Sequence, residues 1–149
     1  MDTRDFLVPD NYADFHCKCG KCRHTCCDGW AVTFPREDYF RLLSVPCSPE
    51  LRRKLDTSLH LADDPTPERY AELLPNWEGH CSLQRADGLC ALQAECGEEA
   101  ISSPCRYYPR GIRTMDDDEC ACSVSCERVV EMLLHRLPPM TFRRMRLSF

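Results

Sequence analysis

Residues 15–30 read Phe15-His16-Cys17-Lys18-Cys19-Gly20-Lys21-Cys22-Arg23-His24-Thr25-Cys26-Cys27-Asp28-Gly29-Trp30. Cysteine, glycine and lysine leave no apolar period over residues 17–27, so the segment reads as a loop. Sulfurs two to four residues apart let one loop turn two or three of them toward a single ion about 2.3 Å away. Two further groups follow, Cys81, Cys90, Cys96 and Cys105, then Cys120, Cys122 and Cys126, and thirteen of the 149 residues are cysteine. That share approaches the one found in short chains built around cross-links or metals. A chain of this length can bury a modest core, and the thiols are expected to supplement it.

Disulfides are the competing reading. The start, Met1-Asp2-Thr3-Arg4-Asp5-Phe6-Leu7-Val8-Pro9, has neither the basic opening nor the apolar run of a secretory signal, so a reducing, cytoplasmic setting is expected. There, clustered cysteines serve metals or catalysis more often than structural disulfides. Thirteen is also odd, and the neighbours Cys26 and Cys27 can close only a strained ring with each other. Soft thiolates select zinc or an iron–sulfur cluster over magnesium, calcium or manganese, and spacing does not choose between those two. Eight or more thiols exceed one tetrahedral site; two four-thiolate zinc sites, or a cluster with a second site, would use them. Cys47, isolated before Pro49, reads as a small buried apolar residue. His16, His24 and His80 lie near cysteine groups and can substitute as ligands, although an exposed polar role is the ordinary one.

No apolar stretch approaches the ~20 residues that cross a bilayer, so no membrane association is expected. The formal charge of −5 gives no electrostatic reason to expect nucleic acid. The basic tail, Arg143, Arg144 and Arg146, reads as a solvated helix face.

Along the chain, residues 1–16 look extended. Thr33-Phe34-Pro35 caps a helix through Tyr39, Phe40, Leu42 and Leu43, and Ser48-Pro49-Glu50 opens another with Leu51, Leu55, Leu59 and Leu61 as its stripe, broken by Asp63 to Pro67. Short pieces follow from Leu74 to Leu92, with a turn at Asp87-Gly88; Leu89 to Glu95 reads as a helix stopping at Gly97, and Glu98 to Ser102 as a further turn. Gly111 to Met115 and Cys120 to Val124 form a hairpin around the acidic turn Asp116, Asp117 and Asp118. Ser125 then caps a helix bearing Val129, Met132, Leu133 and Leu137, which ends at Pro138-Pro139. The expectation is one α-rich α+β domain over residues 1–149, built of short helices, irregular cysteine-bearing loops and a β-hairpin, and stabilised by metal.

The stretch from Phe15 to Trp30 resembles the opening signature of the flagellin lysine-N-methylases, C-x4-C-x3-C-C followed by Gly-Trp. The resemblance continues at Cys81-Ser82-Leu83, at Asp87-Gly88-Leu89-Cys90 and at Gly97. Cys105-Arg106-Tyr107-Tyr108-Pro109-Arg110 then resembles the family's C-R-x-Y-P-R box, and Ser125-Cys126-Glu127 closes the match. Together these cover residues 9–142 in the family's order. The resemblance implies that Cys17, Cys22, Cys26, Cys27, Cys81, Cys90, Cys105 and Cys126 are the metal ligands, with Cys19, Cys47, Cys96, Cys120 and Cys122 additional here. The same eight are similar to those of cysteine-cluster proteins described as zinc- or iron-chelating, to which no reaction is assigned.

The family further implies methyl transfer from S-adenosylmethionine to a lysine ε-amine of flagellin, with a 4Fe-4S cluster or zinc as the bound metal. Such a reaction needs a neutral lysine and an oriented, dry approach to the methyl carbon. Arg106, Tyr108 and Arg110 are candidate catalytic residues, because the box sets two guanidiniums beside a cysteine, where they bind a cofactor carboxylate, offset thiolate charge or brace the loop. No glycine-rich nucleotide loop follows a strand, and the C-x3-C-x2-C spacing of radical cofactor use is absent. Family members continue for a further domain's length beyond position 149, so the chain is expected to be the N-terminal part of a longer enzyme or a short relative that only binds metal.

Overall fold

The structure, a computed structural model, describes residues 3–113 and 118–148. In chain order its elements are β1 (Thr3–Pro9), α1 (Asp10–Ala13), β2 (Val32–Phe34), α2 (Arg36–Ser44), α3 (Pro49–Ser58), β3 (Leu59–Leu61) and β4 (Ala71–Leu73). They continue with α4 (Ala91–Cys96), a 3₁₀ turn (Glu98–Ala100), α5 (Ser103–Tyr107), β5 (Arg110–Arg113), β6 (Glu119–Cys122), α6 (Glu127–Leu134) and β7 (Phe142–Ser148). The fold is mixed α+β, with more strand than the sequence suggests. Its contacts divide into two compact units, Met1–Lys18 with Tyr107–Phe149, and Cys19–Arg106.

The first unit is a four-stranded sheet in the order β5-β6-β1-β7. The expected hairpin is present, with Arg110 opposite Cys122 and Arg113 opposite Glu119. Of its acidic turn, Met115, Asp116 and Asp117 lie outside the described residues. The basic tail is a strand rather than a helix face: β7 runs antiparallel to β1 over its whole length, from Thr3 opposite Ser148 to Pro9 opposite Phe142. Its period is two, since Met145 and Leu147 pack against the Phe6, Val8, Tyr12 and Cys120 cluster while Arg144 and Arg146 stay exposed.

Residues 10–13 are a helical turn where extended chain was expected; Pro9, which has no N–H to donate, precedes it, and Asn11 and Tyr12 are buried in it. The Asp10 carboxylate holds the returning chain, accepting from the Arg136 guanidinium and from Thr141 Oγ1 at 2.8 Å. Helix α6 starts one residue late, with Cys126 rather than Ser125 at the N-cap, and ends before Leu137, which is 97% exposed. Arg136 ends it: its guanidinium turns back to the Pro138 and Pro139 carbonyls at 2.8 and 3.0 Å as well as to Asp10.

The second unit carries the larger core, in which Val32, Phe34, Leu42, Leu51, Leu55, Leu73, Leu83 and Leu92 bury themselves together. Ser48 caps α3 as its sequence indicates, its Oγ accepting from the Leu51 N–H at 3.2 Å. The helix stops at Ser58, however, and Leu59 and Leu61 belong to β3, paired with Leu73 and Ala71 of β4. Thr57 and Ser58 bond back to the Arg53 and Lys54 carbonyls, a habit of hydroxyl side chains that weakens a helix interior. With β2 added on the other side of β4, the result is a three-stranded antiparallel sheet of three-residue strands. Segments this short carry no readable period.

Candidate thiolate centre

Four segments of the second unit bring cysteines together. The 19–29 loop is bent by backbone that few side chains adopt: Cys19 has φ +50° and Gly20 φ +79°. A Cβ on Gly20 would stand 3.1 Å from the Asp87 carbonyl, so this turn lies against the turn before Cys90. Thr25 joins the same two segments: its Oγ1 accepts from the Cys27 N–H at 3.1 Å and from Gln84 Nε2 at 2.8 Å. Trp30 donates its indole N–H to the Cys26 carbonyl at 2.7 Å.

The Asp87-Gly88 turn seen in the sequence places Cys81 and Cys90 on either side of a loop closed by bridges from Pro75 to Cys81 and from Gln84 to Cys90. Cys90 then caps α4 and Cys105 rides on α5, a helix the sequence did not reveal. Two proline-interrupted turns, Ser103-Pro104 and Tyr108-Pro109, hide so short a helix from any periodicity.

Electrostatics couple the thiols of these segments. Cys27 is held down at about 3, because the thiols of Cys26 and then Cys81 hydrogen-bond to its sulfur and Thr25 adds to them. Its partner Cys81 is pushed up, since the bond to Cys27 favours keeping that proton and burial opposes a second charge. Burial raises Cys90, with the Cys27 charge adding to it. Cys105 rises to about 11 for the same reason, with a Ser102 hydroxyl working against the rise. One thiolate is thus stabilised among protonated neighbours, which is how a cluster of thiols behaves before ligation.

Among the described residues, no three Cys, His, Asp or Glu side chains stand together in a geometry that holds an ion. The eight family-type cysteines are divided between the units: Cys22, Cys26, Cys27, Cys81, Cys90 and Cys105 are in the second, Cys17 and Cys126 in the first. In the first unit Lys18 lies 2.7 Å from both Glu127 and Glu131, which fixes the chain next to Cys17 against the start of α6, next to Cys126.

The additional cysteines sort differently. Cys120 is buried beside Tyr12, and Cys122 feels the charges of Arg110, Cys126 and Cys120. Cys47 is not isolated: Cys96 donates its thiol to the Pro46 carbonyl at 3.4 Å and feels the Cys47 charge, and both pack against the main core. Of the histidines, His80 stands out, its Nδ1 2.7 Å from Asp28 Oδ1 in an isolated bridge immediately before Cys81.

The residues of the C-R-x-Y-P-R box are engaged within the fold. Arg106 pairs with Glu99 at 2.8 Å, and Tyr108 meets Ser125 Oγ at 3.1 Å. Arg110 donates to the carbonyls of Tyr12 and Phe15 at 3.3 and 3.1 Å, lies over both rings, and counters charge on Cys122.

No family model matches this chain, and no solved structure matches it. It is similar to the lysine-N-methylases of Salmonella typhimurium and Salmonella choleraesuis, 26% identical over 123 residues, which is 81% of this chain and 30% of each relative. It is also similar to the flagellar biosynthetic protein FliU of Salmonella muenchen, 25% identical over 123 residues and covering 72% of that protein. The relationship to proteins of these names is distant, and the chain spans less than a third of the length of the lysine-N-methylases it matches.

Proposed function

We propose that this chain is the cysteine-cluster portion of a protein-lysine N-methyltransferase acting on flagellin, in which the family-type cysteines hold zinc or a 4Fe-4S cluster. The observation that carries the reading is the contact between two cysteine-bearing loops, in which the Cys81 N–H meets the Cys27 carbonyl at 3.1 Å and Gln84 meets Thr25 at 2.8 Å, in a chain whose distant relatives are named lysine-N-methylase.

The donor set suits such a metal. Its atoms are soft sulfurs, one is already favoured as thiolate, and the others lose their burial penalty once a cation replaces their protons. When bound, the metal supplies structural closure of loops that have little apolar burial of their own. The chain's contribution is to orient: Thr25 and Gln84 tie the 25–27 segment to the 81–90 loop.

For S-adenosylmethionine the fit is different. Neither the mixed four-stranded sheet nor the antiparallel three-stranded sheet is a doubly wound parallel sheet with a glycine-rich first turn, so the described elements do not offer that cradle. A second reading, a non-catalytic zinc- or iron-chelating module, is favoured by one observation: Arg106, Tyr108 and Arg110 are each engaged within the fold.

The test has two readouts. Anaerobically purified protein is examined by metal analysis and visible absorbance, which separates a brown iron–sulfur protein from a colourless zinc one. The protein, alone and within the longest available form, is then incubated with S-adenosylmethionine and flagellin, and methyl-lysine is sought by mass spectrometry. Metal without methylation in either form favours the chelating module.

A further inference from the structure

Two cysteines outside the family-type set meet against the core of the second unit. Cys47 lies in the connection between α2 and α3, and Cys96 is the last residue of α4. Two clamps hold these segments together. The Cys96 thiol donates to the Pro46 carbonyl at 3.4 Å, and the Glu95 carboxylate accepts from the Ser48 N–H and the Ser48 hydroxyl, each at 3.0 Å. Cys47 is the residue between those contacts. The oxygen of a trans peptide stands about 3 Å from the next Cα, so the Cys96 sulfur lies within about 6 Å of the Cys47 Cα. Both cysteines are half-buried against the core while Pro46, Glu95 and Gly97 beside them are exposed, so the pair borders on solvent. Among the described residues, no third Cys, His, Asp or Glu joins them in a geometry that holds an ion.

We propose that Cys47 and Cys96 form a reversible disulfide site, closed by a hydroperoxide, which staples the end of α4 to the loop that opens α3. The clamps on either side of Cys47 keep the two backbones together, so closing the bond calls for rotation about χ1 more than for movement of the chain. One sulfur attacks the peroxide, whose O–O bond breaks to leave a sulfenic acid and an alcohol; the second thiol then displaces the sulfenic hydroxyl as water. Two thiols and one hydroperoxide thus become a disulfide, an alcohol and water. Two electrons pass from sulfur to oxygen, and the two thiol protons end on the alcohol and the water. Arg52 assists from beside the loop. Its guanidinium donates to the Leu42 and Val45 carbonyls at 3.1 and 2.7 Å, and its charge works against the rise that burial imposes on Cys96. The staple restrains α4, whose N-cap is Cys90. Because neither cysteine belongs to the family-type set, the inference stands apart from the metal and methyl-transfer readings.

The experiment treats the whole protein, purified anaerobically, with hydrogen peroxide in slight excess and alkylates the thiols that remain. Trypsin and a glutamate-specific protease then cut after Glu95 and Glu98, which parts Cys96 from Cys90 and Cys105 before mass spectrometry. The expected product is a peptide pair joining Cys47 to Cys96, split again by dithiothreitol. Because a cross-link between remote segments restricts the unfolded chain, oxidation is expected to raise Tm, and Cys47→Ser to lose that rise. In Cys47→Ser the remaining Cys96 is expected to stop at the sulfenic acid, which dimedone traps. The peptide map of the unaltered chain decides the matter if that variant fails to fold. Three outcomes overturn the proposal: both thiols alkylated after other cysteines have been oxidised, a disulfide from either one to a different cysteine, or a linked pair that melts no higher than the reduced protein.

Discussion

Cys27 and Cys81 meet across a backbone contact in which the Cys81 N–H donates to the Cys27 carbonyl at 3.1 Å, and their thiols are driven in opposite directions, Cys27 down and Cys81 up. They are far apart in sequence, so only the meeting of the 19–29 loop with the 75–90 loop brings them together. A metal that takes both sulfurs locks those loops to each other.

Replacing Cys27, Cys90 or Cys105 by serine is therefore expected to lower the metal-to-protein ratio and Tm together, since serine supplies no soft thiolate at neutral pH. Cys126→Ser is expected to do the same if the family's ligand set holds. Cys47→Ser is expected to leave metal content unchanged, because Cys47 packs with Cys96 against the apolar core. Metal analysis of the variants settles this, and equal losses throughout would show the division to be wrong.

Arg110→Lys removes the planar fork that serves the Tyr12 and Phe15 carbonyls and the face that covers their rings. Lysine offers a point charge in its place, so a loss of about 1–3 kcal/mol in unfolding free energy is expected, with metal content unchanged. Denaturant unfolding measures the first quantity and elemental analysis the second.

The Arg136 guanidinium and Thr141 hold the Asp10 carboxyl below the usual carboxylate range. A lowered folded value means that the contribution is complete above the unfolded value, about 4, and is lost as pH falls toward the folded one. Asp10→Asn is thus expected to be less stable than the unaltered chain at pH 5–8, and the gap is expected to close progressively below about pH 4. Urea midpoints across that range would reveal the convergence, and a gap independent of pH would remove the charge from the explanation.

Leu55→Ala empties a position that is 2% exposed in the larger core. A cost of about 2–5 kcal/mol is expected, with the upper end if the α3 packing does not relax. Thermal or chemical unfolding of the metal-loaded protein reads it, and a negligible change would mean that metal, not this core, sets the stability.

The sequence by itself determined what is local. Ser48-Pro49 started a helix because a hydroxyl cap and a fixed φ act within one turn, and Gly97, at φ +87°, stopped α4 because it alone tolerates that backbone at no steric cost. The hairpin of β5 and β6 was legible for the same reason, and the spacing Cys22, Cys26, Cys27 marked a thiol loop. Tertiary structure decided the rest. Leu59 and Leu61 satisfy a helical stripe as well as a strand, and pairing with Leu73 and Ala71 of β4 chose the strand. The arginine-rich tail became β7 because β1 offers it a full-length partner, which no window within residues 142–148 records. Arg110 is a candidate reactive group on paper, and its bonds to Tyr12 and Phe15 come from a segment nearly a hundred residues earlier. Nor can a motif show that Asn11 is buried with its carbonyl unpaired, since burial and satisfaction of a polar group depend on which distant segments surround it.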